Sequence, residues 1–306
     1  MLYVSTRSKT DSFTAYRAMH NENAPDEGAF VPFQHISFTP EDLQQMRDMT
    51  FSGVVAKVLN IYYSCDLTDR DVEFCIGKNP VRFDTPGHKT TVAELWHNHG
   101  SAYAHTVSAL YRRICGNDKP SQWAEIMINI AILSAVCLQM SDGDCCDLSV
   151  SEDETLFLAA AWYAKNAGMP IGRILIACND GSPIWDFIRT GTLNTLQLVK
   201  YSKPLCGLIE RVIYETYGHD ETANYLACLD FGKNYVIDEE MFDPIKHGFS
   251  AVVLGKGRAE AVVSSVLRTN GYQISPDAAL AFGALQDYRS CSGDSRVTLL
   301  LSTKKT

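Results

Sequence analysis

Apolar residues along this chain alternate between two spacings. Phe51, Val54, Val55, Val58, Leu59 and Tyr62 recur as one face of a helix. Upstream, Thr39-Pro40-Glu41-Asp42 joins an N-cap hydroxyl, a first-turn proline and carboxylates near the positive end of a helix dipole, so a helix is predicted to start there. Residues 154–167 read as a helix closed by Gly168 and Pro170. Residues 126–140 are the most apolar stretch, interrupted by Asn129, Ser134 and Gln139. That is too short and too polar to span a bilayer, and reads as a buried helix. Short apolar runs lie between the helices: 173–178 (RILIAC), 251–254 and 297–301. Tyr3 and Val4 begin an extended segment, after which the N-terminal block reads as helical. Strands alternating with helices predict an α/β fold with a mostly parallel sheet and flanking helices. No internal repeat or low-complexity segment interrupts the pattern.

The chain has 306 residues, 46% of them hydrophobic and 21% charged, enough for one large domain or two smaller ones. Its net charge is −9 with Lys and Arg scattered, so nucleic acid and anionic membrane are not expected partners. The opening MLYVSTRSKT has no long apolar core after a basic start, so no secretory leader is expected. Of ten cysteines, Cys75, Cys115, Cys137, Cys178, Cys206 and Cys228 sit in or beside apolar runs, where a thiol behaves as a small hydrophobe. There is no CxxC pair, and Cys145 and Cys146 are adjacent, a poor zinc-ligand spacing. A reducing, cytoplasmic setting without a bound metal is the expectation.

Residues 93–105, AELWHNHGSAYAH, resemble the active-site segment of threonine synthase, usually LELFHGPTLAFKD. Glu94, Leu95, His97 and Ala102 match. The family's lysine, which holds pyridoxal phosphate (PLP) as a Schiff base, falls on Ala104. MLYVSTRS resembles the family's opening YxSTRG, and residues 23–32, NAPDEGAFVP, resemble LAPDGGLFVP. Residues 127–133 resemble SINIGRL, with Ile132 in place of arginine. Residues 149–171 align without a gap to SVPTGNFGNILAGYYAKKMGLPI. Ile209-Glu210-Arg211 resembles FER, residues 272–281 resemble YLIDPHTAVG, and Leu301-Ser302-Thr303 resembles the start of LSTAHPAKF.

The resemblance implies the large α/β domain of a PLP-dependent lyase with the family's N-terminal extension. It implies a region 1–85, then a PLP-fold domain over 86–306, the two packing as one unit. The departures fall where that chemistry belongs. The lysine is Ala104; the phosphate loop TGNFGN becomes Glu152-Asp153-Glu154-Thr155-Leu156-Phe157; the DPHTA histidine becomes Asp277. Near 114–122, where the family carries its SGDTG loop and small domain, stands only CGNDKPSQ, implying a domain-sized excision.

Several residues offer chemistry without the family. Ser151 and Glu154 have the spacing of a capping box, which would spend the helix dipole on carboxylates and repel a phosphate. His97 and His99 on an extended segment would share a face, a metal pair in one reading and solvated or hydrogen-bonded histidines in the other, with Asp144, Cys145 or Cys146 completing a site only if the fold brings them close. Gly255-Lys256-Gly257-Arg258 between strand and helix reads as an anion site or as a plain glycine turn. It lacks the GxxxxGK[ST] pattern of nucleotide binders.

The resulting expectation is a pseudoenzyme with neither PLP nor catalysis, acting in binding or regulation. Its remnant cleft would hold His97, His99, His105, Asp277 and Thr303, with room for a small ligand. The alternative is a lyase or other enzyme of amino-acid metabolism using His99, His105 and Asp277. Loss of the small domain is expected to bare apolar surface near Trp96, Tyr103 and the helix over 123–140, which either the chain folds over or a second chain covers, a homodimer being favoured over another protein.

Overall fold

Threonine hydroxyls start the N-terminal helices. Thr14, Thr39, Thr50 and Thr68 accept from backbone N–H groups of helices Ala15–His20, Pro40–Arg47, Phe51–Tyr63 and Asp69–Ile76. At Thr39 and Thr68 the bond is reciprocated by Asp42 and Asp71, completing capping boxes. The start expected at Thr39 is therefore where the helix begins. This computed structural model describes residues 1–98, 100–117, 119–140 and 144–305.

The N-terminal block is less helical than its sequence implies. Strands β1 (Leu2–Ser5), β2 (Ser12–Thr14) and β3 (Phe30–Pro32) form an antiparallel sheet ordered β2-β1-β3. Strands this short show too little alternation to be read from sequence. The main sheet contains β4 (Arg82–Gly87), β5 (Thr90–Glu94), β6 (Cys146–Ser151) and β7 (Ile171–Cys178). After the small hairpin of β8 (Thr192–Asn194) and β9 (Asn234–Val236), β10 (Phe249–Val253) and β11 (Thr298–Ser302) complete it. The order is β10-β7-β6-β11-β5-β4, parallel throughout except for the β4–β5 pair. The border expected at residue 85 falls inside β4.

Successive strand residues point to opposite faces, and both faces are apolar here. Val92, Leu175, Ala177 and Leu300 pack on helices Arg258–Asn270 and Pro276–Ser292. Ala93, Leu148, Ile174, Ile176, Leu299 and Leu301 face the larger core. That core contains helices Gln122–Met140 and Thr155–Asn166 together with the N-terminal helices.

Gln122–Met140 is long and apolar enough to cross a membrane, but it is a core helix here. From Trp123 to Leu138 every residue except Glu125 is buried. Tyr103, in helix Tyr103–Cys115, is only 5% exposed, and Trp96 is half-buried. The apolar surface expected near these residues is therefore covered by the chain itself. The most exposed large apolar side chains, Phe74, Phe231 and Tyr16, sit on three other helices.

Thr39→Ala removes a cap and is expected to cost about 1 kcal/mol, read as a lower urea midpoint at unchanged slope. Glu215 is the second case. Burial pushes its carboxyl up to about 7 from 4.5, with its side chain 5% exposed and His35 Nδ1 3.1 Å away. Between those two pH values the folded chain holds a proton that the unfolded chain has lost. Stability from this group is thus complete below about 4.5 and falls as pH rises through about 7, by on the order of 3 kcal/mol. Glu215→Gln should flatten that part of the pH–stability curve, measured by urea unfolding from pH 4 to 8; a curve parallel to the parent's would show that Glu215 does not cause the slope.

Candidate functional site

Parallel sheets place their binding clefts beyond the carboxyl ends of the strands. Here β6 ends at Ser151, β7 at Cys178, β5 at Glu94 and β11 at Ser302. The segment after β6 turns sharply before helix Thr155–Asn166. The capping box expected at Ser151 is not formed. Ser151 belongs to the strand and pairs with Ala177, while Glu154 is the N-cap residue and makes no side-chain cap bond. Strand pairing fixes Ser151 before the helix can use it.

Glu152 instead points into the protein and is 1% exposed. Its Oε1 accepts from the Asn179 N–H at 2.6 Å and the Tyr201 hydroxyl at 2.5 Å, and its Oε2 accepts from the Ser182 hydroxyl at 2.5 Å. One carboxylate thus joins the loop after β6 to the loop after β7 and to helix Thr195–Tyr201. Burial, and then the bond to Glu152, pushes the Tyr201 phenol up. A backbone N–H and two hydroxyls form a donor set suited to an anion, and an internal anion fills it.

Beside this network lies a cavity of about 450 Å³. Four carboxylates line it: Glu125, Glu152, Asp153 and Glu154. No Lys or Arg is among its described lining residues. Tyr103 and Phe157 form an aromatic wall, with ring centroids 5.0 Å apart. Tyr103 donates to Asn129 Oδ1 at 2.6 Å. Thr303 links Glu154 to a fifth carboxylate, its hydroxyl lying 3.2 Å from Glu154 Oε1 and 3.1 Å from Asp277 Oδ2, which also accepts the Thr303 N–H. Burial, then the Asp277 charge, pushes the Glu154 carboxyl up. Asp277 Oδ1 is buried without a partner.

The remaining sequence candidates are dispersed. His97 Nε2 lies 2.6 Å from Glu94 Oε2, its ring stacks on Trp96, and Tyr272 donates to Glu94 Oε1 at 2.8 Å. His97 follows the end of β5 rather than lying on a strand, and His99 lies outside the described residues. His105 Nδ1 lies 2.7 Å from the Gly100 carbonyl. Ala104 is exposed on the first turn of its helix. Gly255, Lys256 and Gly257 are exposed; Gly257 at φ 78 caps helix Arg258–Asn270, and Arg258 pairs with Asp287 at 2.9 Å. Among the described residues no group of three or more His, Cys, Asp or Glu is placed to hold a metal ion.

Sequence reasoning missed Asn179, Ser182 and Tyr201 around Glu152, and Glu125, Asn129 and Tyr103 in the cavity. It singled out Thr6, Ala29 and Glu210 only through family motifs. The structure joins these three, because Glu210 Oε1 accepts from the Thr6 hydroxyl and from the Ala29 N–H. They fasten the N-terminal sheet to helix Lys203–Tyr217 and take no part in the cavity. Removing the Glu152 carboxylate should strand three donors. Glu152→Ala is expected to cost roughly 3 kcal/mol, with Glu152→Gln costing less, read from urea midpoints.

Comparison with known proteins agrees with this architecture. Residues 2–79 match the family model described as threonine synthase N terminus. Threonine synthase-like 1 of Homo sapiens and that of Pongo abelii are each 22% identical over 186 residues, covering 56% of this chain and 25% of theirs. The match thus spans a quarter of the length of those relatives. The PLP-bound threonine synthase of Brucella melitensis superposes with a TM-score of 0.81 at 17% identity, covering 100% of this chain and 89% of that one. The yeast threonine synthase gives 0.79 at 14% identity, covering 99% and 87%. In fold along its length, and in sequence over its N-terminal residues, the chain is a threonine-synthase-like protein.

Proposed function

We propose that this chain is a pseudoenzyme of the threonine synthase type, which binds no PLP, makes no threonine, and serves as a cytoplasmic binding protein. The observation that carries the reading is the segment 152–154. A PLP phosphate needs unpaired backbone donors at a helix start and a surrounding field that tolerates a dianion. Here the donors beside the turn are occupied by Glu152, and Asp153 and Glu154 add negative charge to the same cavity. The residues present do not fit the cofactor. A second support is Ala104, whose methyl cannot form an imine and whose side chain faces solvent. A third is the connection from Tyr103–Cys115 to Gln122–Met140, which runs only through residues 116–121. We take it as the scar of an excised small domain.

Incubation with PLP, borohydride reduction and peptide mapping test this reading. The expected result is no aldimine absorbance and no modified lysine near the cavity. Ala104→Lys should behave as the parent does, because the carboxylates remain. A reducible adduct on any cavity-facing lysine would overturn the proposal.

A further inference from the structure

We propose that the cavity before helix Thr155–Asn166 binds a small neutral molecule carrying several hydroxyl groups, a polyol or monosaccharide. This rests on the reading that the cavity is not a PLP site, and it names the ligand class for that same cavity.

The observation that points to a ligand is Asn129. It lies in the core helix Gln122–Met140 and is 1% exposed, yet it lines the cavity. Its Oδ1 accepts from the Tyr103 hydroxyl at 2.6 Å. Its Nδ2 has no protein partner and is not among the sealed-off polar atoms, so Nδ2 is the part of Asn129 that the cavity sees. A buried amide N–H without a partner is costly and normally finds an acceptor. This one asks for an oxygen on the ligand.

The second observation is the need of its neighbours for the opposite kind of partner. Glu125 stands one helical turn before Asn129, and its carboxylate makes no hydrogen bond or ion pair within the described structure. Glu154 accepts only from the Thr303 hydroxyl, which it shares with Asp277. Burial is the main cause that pushes both carboxyls above their ordinary values, so donors from a ligand would replace water that these groups have lost. A bare donor and bare acceptors in one cavity select a group that both accepts and donates, and a hydroxyl does both at a single oxygen. An alkylammonium group offers Asn129 no acceptor, and an anion offers the glutamates no donor.

The rest of the cavity suits the carbon frame of such a ligand. Tyr103 and Phe157 form a wall with ring centroids 5.0 Å apart, an apolar surface for the C–H side of a sugar ring or polyol chain. The volume of about 450 Å³ is within the usual range for small-molecule sites.

Titration calorimetry of the full chain with xylitol and with glucose tests the proposal, with 1,4-diaminobutane, inorganic phosphate and PLP as parallel titrants. Saturable binding of at least one of the two hydroxylated probes is expected. Asn129→Asp keeps the acceptor for Tyr103 and removes the donor, so it should weaken that binding about tenfold or more. Glu125→Gln keeps an acceptor in place and should weaken it less than Asn129→Asp does. Both variants are compared with the parent by circular dichroism; should Asn129→Asp not fold, the side-chain amide resonance of Asn129 in the parent decides, because it should shift as the probe saturates. No saturable binding of either probe, equal affinity in folded Asn129→Asp, or an unmoved Asn129 amide resonance overturns the inference. Tighter binding of the diamine or of phosphate overturns it too. Silence toward the hydroxylated probes and PLP alike sinks only this inference, whereas PLP binding with an aldimine spectrum sinks the preceding reading as well.

Discussion

The structure depends on one buried helix. Gln122–Met140 has no solvent side for most of its length, so each of its neighbours must supply apolar surface and each of its polar atoms must find a partner inside. Helices Phe51–Tyr63 and Thr155–Asn166 pack against it. Several of these needs are met from distant parts of the chain and one within the helix itself, while Trp123 Nε1 stays buried without a partner. Tyr63 donates to the Ala124 carbonyl, Tyr3 to Met127 Sδ, Tyr103 to Asn129, and Ser134 bonds back to the Ile130 carbonyl. Tyrosine suits this role because its ring fills core volume while its hydroxyl reaches a partner. N-terminal residues and sheet residues therefore share one core.

That arrangement explains which parts of the chain were legible in advance. The helix over 126–140 and the strands at 173–178, 251–254 and 297–301 depend on local runs of apolar residues, and the structure places them within a few residues of those limits. Thr39 and Ser151 show where local reading ends. Both begin a hydroxyl–x–x–carboxylate pattern. Thr39 follows irregular chain and is free to turn its hydroxyl to the Asp42 amide. Ser151 is the last residue of a paired strand in the middle of the sheet, and ladder geometry decides its backbone. The pattern states a propensity, and tertiary pairing overrides it.

The candidate site was less legible for a related reason. Its segment, 152–154, was found through the family motif, but the role of each carboxylate depends on partners far along the chain. Tyr201 reaches Glu152 across 49 positions, and Tyr272 reaches Glu94 across 178. No periodicity encodes such pairs. The three consecutive acids look equivalent in sequence, yet Glu152 is the buried, fully bonded one and Glu154 shares Thr303 with Asp277. The shared hydroxyl can donate to only one carboxylate oxygen at a time, which leaves that pair short of a proton or a cation.

Ala104 ties the fold to the chemistry. Helix Tyr103–Cys115 enters its first turn with Tyr103 fixed inward, its hydroxyl on Asn129 and its ring against Phe157. Successive helix residues are about 100° apart around the axis, so fixing Tyr103 inward directs position 104 away, and Ala104 is indeed exposed. An amine placed there would start from the solvent side of the helix. To face the cavity it would require the helix to rotate, pulling Tyr103 out of the core and stranding the Asn129 amide. The same tyrosine that closes the core therefore sets which side chain the cavity sees, so a change in chemistry at this site is also a change in packing.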